Sequence, residues 1–202
     1  MTFIHFNEGG EKLDKRERII EGAIRVFREK GVHQATISNI VKEAGIAQGT
    51  FYLYFESKLS LMPAIAEVMV ERTIQHVHET VDEQAPIEQQ IRQMIDAIFD
   101  INRDYHEIQA LIYSGLASTE HLKKWEAVYA PFYEWVSTRL EQAKRDGAIR
   151  PTVHPERFAK LMIGLVESAA EQIYLYDVDQ EAQAPIQKEE VFDFLQHALR
   201  LQ

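Results

Sequence analysis

Between Thr36 and Lys58 the chain reads TISNIVKEAGIAQGTFYLYFESK, and its polar residues suit the edges and phosphates of a nucleic-acid duplex. The Gln48 amide can donate and accept together, which matches the edge of adenine. The hydroxyl and methyl of Thr50 can each meet a base edge, and the hydroxyl can also meet a phosphate. Tyr52, Tyr54 and Thr36 offer O–H donors to phosphates. Lys58 stands near an expected helix start, where its charge and the free backbone N–H groups would attract an anion. Gly49 sits among the residues expected to face outward, while Phe51 and Phe55, four apart, are expected to hold the segment from behind.

Other chemistries fit less well. His76 and His78 are two apart and point in different directions on a helix. His76 and Glu79 can share a face, but no third ligand accompanies them. Gly9-Gly10 and the stretch from Gly45 to Gly49 lack the Gly-Lys-Ser/Thr ending of a phosphate loop. Asp96, Asp100, Asp104 and Glu107 recur at helical spacing, but without the Glu-x-x-His pairs of a carboxylate metal bundle they read as a solvated face. No catalytic residue, metal site or cofactor is expected.

The elements that must place the polar row are helical. Ile20, Ala23, Ile24 and Phe27 share one face of a helix beginning near Asp14 and stopped by Gly31. Thr36 is the expected cap of a second helix with Ile37, Ile40, Val41 and Ala44 inward. Gly45 breaks it, and a third runs from about Gln48 to Tyr54. That is helix-turn-helix spacing, in which one helix crosses the backbone and the next lies in the major groove. A long helix should follow Ser57, with Pro63 in its first turns. Further helices are expected at 87–102, 105–115, 120–144 (kinked at Pro131), 155–174 and 187–201, with a polar loop at 176–185. The reading is all-α with about nine helices and no convincing strand.

The 202 residues include 22 Lys/Arg and 32 Asp/Glu, a net charge of −10. The charge is uneven: residues 12–60 carry nine basic and six acidic side chains, whereas residues 61–202 carry an excess of eleven acids. Any phosphate-binding surface therefore belongs to the first third. There are no cysteines, which excludes disulfides and thiolate ligands and fits a reduced cytoplasm. No apolar run is long enough to span a membrane.

Residues 15–62, KRERIIEGAIRVFREKGVHQATISNIVKEAGIAQGTFYLYFESKLSLM, resemble the DNA-binding region of TetR-type transcriptional regulators. The segments AIRVFREKG, TISNI and AGIAQGTFYLYF and the following Lys58 carry the likeness. It implies a recognition helix at Gln48–Tyr54 and DNA contacts from Thr36, Ser38, Gln48, Thr50, Tyr52, Tyr54 and Lys58. It further implies homodimers formed through the last two helices, a small-molecule effector held in the body, and repression as the usual sign. The expected organisation is an arm at 1–12, a helix-turn-helix domain at 13–57 and an effector-binding and dimerisation domain at 58–202.

For the dimer surface the candidates are Phe158, Leu161, Gly164, Leu165, Ser168, Phe192 and Leu195, small residues letting a partner helix approach and large ones supplying area. Candidate effector walls are Met69, Met94, Ile98, Tyr105, Ile108, Tyr113, Tyr129, Phe132, Trp135, Met162 and Leu165. This lining suits an apolar or amphipathic molecule, although Met and aromatic residues at helical spacing also build ordinary core. Glu107, Glu126, Glu134 and Glu167 would suit a cation if they faced inward. The expected partners are double-stranded DNA, a second copy of the chain and the effector, with no membrane. The competing reading is an all-helical small-molecule-binding module that never touches DNA.

Overall fold

The computed structural model describes residues 14–115, 119–176 and 178–200. The arm at 1–12 lies outside them. Among the described residues there are eight α-helices and no strand: α1 (Lys15–Lys30), α2 (Ile37–Ala44), α3 (Gln48–Phe51), α4 (Met62–Thr80), α5 (Ile87–Gly115), α6 (Thr119–Arg145), α7 (Pro155–Glu171) and α8 (Ala184–Leu199).

The expected count of nine becomes eight because Ile87–Gly115 runs as one element, kinked at Tyr105 where the second of the two expected pieces begins. The junction expected between Asn102 and Tyr105 is this kink. Asn102 is buried and donates from Nδ2 to the Ile98 carbonyl at 2.9 Å, while Arg103 reaches Asp100 and Asp104 at 2.9 and 3.1 Å. These polar groups are satisfied within the helix, so they do not break it. Only Tyr105, at φ −128° and ψ 18°, departs from helical geometry. α6 likewise continues through Pro131. The polar loop expected at 176–185 holds a 3-10 turn at Val178–Gln183, and α8 starts three residues earlier than expected.

The chain forms two compact units. One takes Met1–Val68 with Glu107–Leu122, and the other Met69–His106 with Lys123–Gln202. The first is built on α1 against α2. Gly22 permits their approach, since a Cβ there would lie 3.1 Å from Ala44 N and 3.2 Å from the Ile40 carbonyl. Ile19, Ile24, Phe27, Ile40, Phe51 and Leu61 fill the space with essentially no exposed surface. Asp14 and Glu17 close a capping box on α1, and Thr36 and Asn39 do the same on α2.

The second unit packs Met69–Thr80 of α4, Ile87–His106 of α5, Lys123–Arg145 of α6, α7 and α8 around a continuous apolar core that includes Val77, Ile95, Ile98, Phe132, Leu140, Ile163 and Val166. Pro155 occupies the first turn of α7, where its missing N–H costs nothing. No helix among the described residues is long and apolar enough to cross a membrane.

Candidate functional site

The polar row of the first unit is set up by three fastenings. Gly45 ends α2 in the left-handed conformation, φ 64° and ψ 39°, and turns the chain toward α3. Arg18 of α1 donates from Nε and Nη2 to the Ala44 carbonyl at 3.1 and 2.7 Å, and from Nη2 to the Gly45 carbonyl at 2.8 Å. It thereby satisfies carbonyls at the α2 terminus that would otherwise lack partners. Arg25 pairs with Glu43 at 2.8 Å. Arg18, Arg25 and Glu43 were not singled out in the sequence; their charge alone did not distinguish a fastening from a solvated face.

α3 is shorter than expected. It spans Gln48–Phe51, and turns carry the chain on through Tyr54 by bonds from Leu53 N to Thr50 O (3.2 Å) and Tyr54 N to Phe51 O (3.0 Å). Phe51 and Phe55 are buried as expected, their ring centroids 5.9 Å apart. With these rings inward, Gln48, Gly49, Tyr52, Leu53 and Tyr54 are exposed and Thr50 is half-buried. Nothing lies within 4 Å of a Cβ built on Gly49, so no internal packing requires a glycine there. Leu53 is 82% exposed, an apolar side chain that the sequence reading left out of the row. A large apolar group in open water is as informative as its neighbours Tyr52 and Tyr54.

Two of the expected contacts have structural employment. The Thr36 hydroxyl accepts from Asn39 N at 3.2 Å and donates to Asn39 Oδ1 at 2.9 Å. Lys58 Nζ is half-buried and donates to the carbonyls of Val32 and Ala35 at 2.7 and 2.9 Å, tying the end of the row to the α1–α2 turn. Ser38 is exposed on the first turn of α2.

In the second unit most candidate effector walls are core. Met94, Ile98, Tyr129, Phe132 and Met162 belong to one packed cluster, with Trp135 and Leu165 against it. Met69 is buried, as is Ile108, which belongs to the first unit. Tyr105 is half-buried, its hydroxyl 3.2 Å from Arg72 Nη1. The Tyr113 and Glu126 side chains lie outside the described residues. Of the four acids that could face a cation, Glu107 and Glu134 are exposed. Glu167 turns inward and accepts from the Tyr129 hydroxyl at 2.6 Å. Burial pushes its carboxyl up to about 7, against the Tyr129 bond and with help from the nearby Glu171 charge. Tyr133 stacks on Tyr129 with centroids 5.7 Å apart, and the Lys160 ammonium stands 4.9 Å from the Tyr133 ring.

The dimer candidates divide. Leu161 is 70% exposed, Gly164 and Ser168 are exposed, and Leu165 and Phe158 are half-buried against the core. Phe192 and Leu195 are corrected: each is only 2% exposed and lies inside its own subunit. The large apolar side chains that α8 presents to solvent are Ile186 and Phe194. Ile186 is nearly opposite in helical phase to the core residues of α8 and Phe194 lies to one side of them, and counting apolar positions does not reveal which face is inward.

His78 packs against Trp135, with ring centroids 4.8 Å apart, and Glu79 accepts from Gln75. Among the described residues, no group of three or more His, Cys, Asp or Glu could hold a metal ion.

The model of the bacterial regulatory proteins, tetR family, matches residues 19–65, and that of the tetracyclin repressor-like C-terminal domain matches residues 91–199. The HTH-type transcriptional regulator YvdT of Bacillus subtilis is 37% identical over 185 residues, covering 92% of this chain and 95% of its own. Among solved structures, FadR of Bacillus subtilis in complex with stearoyl-CoA superposes with TM-score 0.67 at 22% identity, covering 89% of this chain and 96% of its own. Salmonella enterica GusR does so with TM-score 0.70 at 21% identity, covering 96% and 100%. The two structures share the fold.

Proposed function

Because the chain belongs to the tetR family of bacterial regulatory proteins, and so is a DNA-binding transcriptional regulator, we propose that it works as a homodimeric repressor on a palindromic operator, released by an apolar or amphipathic effector. The observation that carries this reading is the outward row Gln48, Gly49, Tyr52, Leu53 and Tyr54, held from behind by buried Phe51 and Phe55.

In the major groove Gln48 pairs with an adenine edge, and Leu53 and the Thr50 methyl meet thymine methyl groups. Tyr52, Tyr54 and Ser38 donate to phosphates and set the register. The bare backbone at Gly49 allows close approach. Lys58 acts by positioning the row through Val32 and Ala35. One such row covers only a few base pairs. A second copy, joined across α7 and α8 through Leu161, Gly164, Ser168 and Phe194, reads the same bases on the next turn, about 34–36 Å away.

The effector opens the second-unit core among Met94, Trp135 and Met162, and the inward Glu167–Tyr129 pair supplies its polar contact. α4 and α5 each continue from one unit into the other. An effector that prefers one setting of these helices shifts the population away from the DNA-competent dimer, by no more than its differential affinity. The excess acid on residues 61–202 repels phosphate from the body, and the cysteine-free chain suits the cytoplasm.

Selection of bound duplexes from a random pool tests the reading. Enrichment of a two-fold symmetric sequence is expected. Recovery of no common sequence would favour a helical ligand-binding module without DNA.

A further inference from the structure

We propose that α1 takes part in reading DNA without touching it: Arg18 is a positioning residue that sets where Gln48 and Thr50 meet the bases. This role rests on the operator reading and adds to it a residue outside the exposed row.

Arg18, Gly22 and Arg25 stand at i, i+4 and i+7 on α1 and so form one stripe. All three meet the last residues of α2 and the turn that follows. Arg18 bonds the Ala44 carbonyl twice, at 3.1 and 2.7 Å, and the Gly45 carbonyl once, at 2.8 Å. Gly22 leaves room for Ala44, whose N and Cβ would lie 3.1 and 3.2 Å from a Cβ at position 22. Arg25 holds Glu43 at 2.8 Å. Of the three, Arg18 is the one that reaches past the end of α2 into the turn. It is half-buried, and its charge is spent on the negative end of the α2 dipole.

α3 depends on that turn. It has four residues, too few to be stable alone, and its cap residue, Ala47, makes no side-chain bond to it. Phe51 and Phe55 fix its far end. Its near end is fixed through Gly45, from which only Ile46 and Ala47 separate Gln48. Across so short a link, a displacement of Gly45 becomes a displacement of Gln48. A two-bond contact to a base edge has to be held to about 0.5 Å. Loosening the turn therefore removes discrimination between sequences and leaves the attraction to phosphates in place.

The test compares wild type, Arg18→Met and Arg18→Lys on the selected palindrome and a scrambled duplex, over a series of salt concentrations and below each melting temperature. Arg18→Met should lose tenfold or more of the preference for the palindrome, bind the scrambled duplex within twofold of wild type, and keep the wild-type salt slope. Arg18→Lys should lose less than threefold, since one ammonium can serve two carbonyls, as that of Lys58 does. Where Arg18→Met does not stay folded, Arg18→Gln, which keeps a neutral donor, takes its place with the same expectation. In the free variant, amide exchange should quicken tenfold or more at Gly45 and Ile46 and stay unchanged at Ile24 and Phe27. An unchanged preference in the folded variant would overturn the proposal. So would equal losses on both duplexes with a salt slope shallower by about one per site, which would make Arg18 a phosphate contact. Uniform quickening of exchange would also overturn it, by making Arg18 a general brace. Equal binding of the two duplexes by the wild type itself would strike the operator reading, and this role with it.

Discussion

Lys58 Nζ donates to the Ala35 carbonyl at 2.9 Å, across 23 residues of chain, with the Val32 carbonyl as second acceptor at 2.7 Å. The residue just before the α2 cap is thus tied to the segment following the polar row. Lys58→Met leaves two half-buried carbonyls without this partner and should cost about 1–3 kcal/mol. Thermal or urea unfolding reads the loss directly. If Lys58 served only a phosphate, the free protein's stability would not change.

Glycines separate packing from function. Gly22→Ala places a methyl 3.1–3.2 Å from α2 and should destabilise by roughly 1–2 kcal/mol, the overpacking cost exceeding alanine's better helix propensity. Gly49→Ala meets no atom within 4 Å and should leave the melting temperature unchanged or slightly raised, yet weaken operator binding. Unfolding curves and operator titrations of the two variants should therefore rank them in opposite orders.

Glu167 makes stability pH-dependent in a stated direction. Its folded carboxyl titrates near 7, above its ordinary value of 4.5. Between these values the folded chain binds more protons than the unfolded one, so this group's contribution falls as pH rises from about 4.5 to 7 and stays low above that range. Glu167→Gln keeps an acceptor for Tyr129 and removes the charge. It should raise stability at pH 8 by up to roughly 3 kcal/mol, with little change at pH 4. Urea denaturation at the two pH values checks the difference.

Leu161, 70% exposed on α7, and Phe194, 63% exposed on α8, are the apolar residues on which the proposed dimer surface turns. Leu161→Glu should shift the sedimentation coefficient from dimer to monomer at micromolar protein while helical content is kept. Phe192→Glu should instead unfold the subunit, because Phe192 is core. A monomeric wild type would remove the surface from the account.

Much of the first unit was legible because its signals are local. Thr36 caps, Gly45 turns and Phe51 with Phe55 anchors, and each effect acts within a few residues of its cause. Arg18 and Lys58 were less legible, since their acceptors stand 26 and 23–26 residues away and nothing in the spacing announces a backbone carbonyl. In the second unit the apolar period gave the helices but not their rotation. Phe192 and Phe194 are two apart on one helix, and only packing decides which of them is buried. The junction expected between Asn102 and Tyr105 is a kink at Tyr105, while Asn102 finds its own partner inside the helix.

The central claim is that the row around Gln48 selects a DNA sequence. The most direct measurement is the affinity of the wild type and of Gln48→Ala for the selected palindrome and for a scrambled duplex, at one physiological salt concentration. The account predicts that the wild type prefers the palindrome by a factor of about 10³ or more. Gln48→Ala should lose about 1–3 kcal/mol of that preference per site while holding the scrambled duplex as before. Equal wild-type affinity for the two duplexes would contradict it.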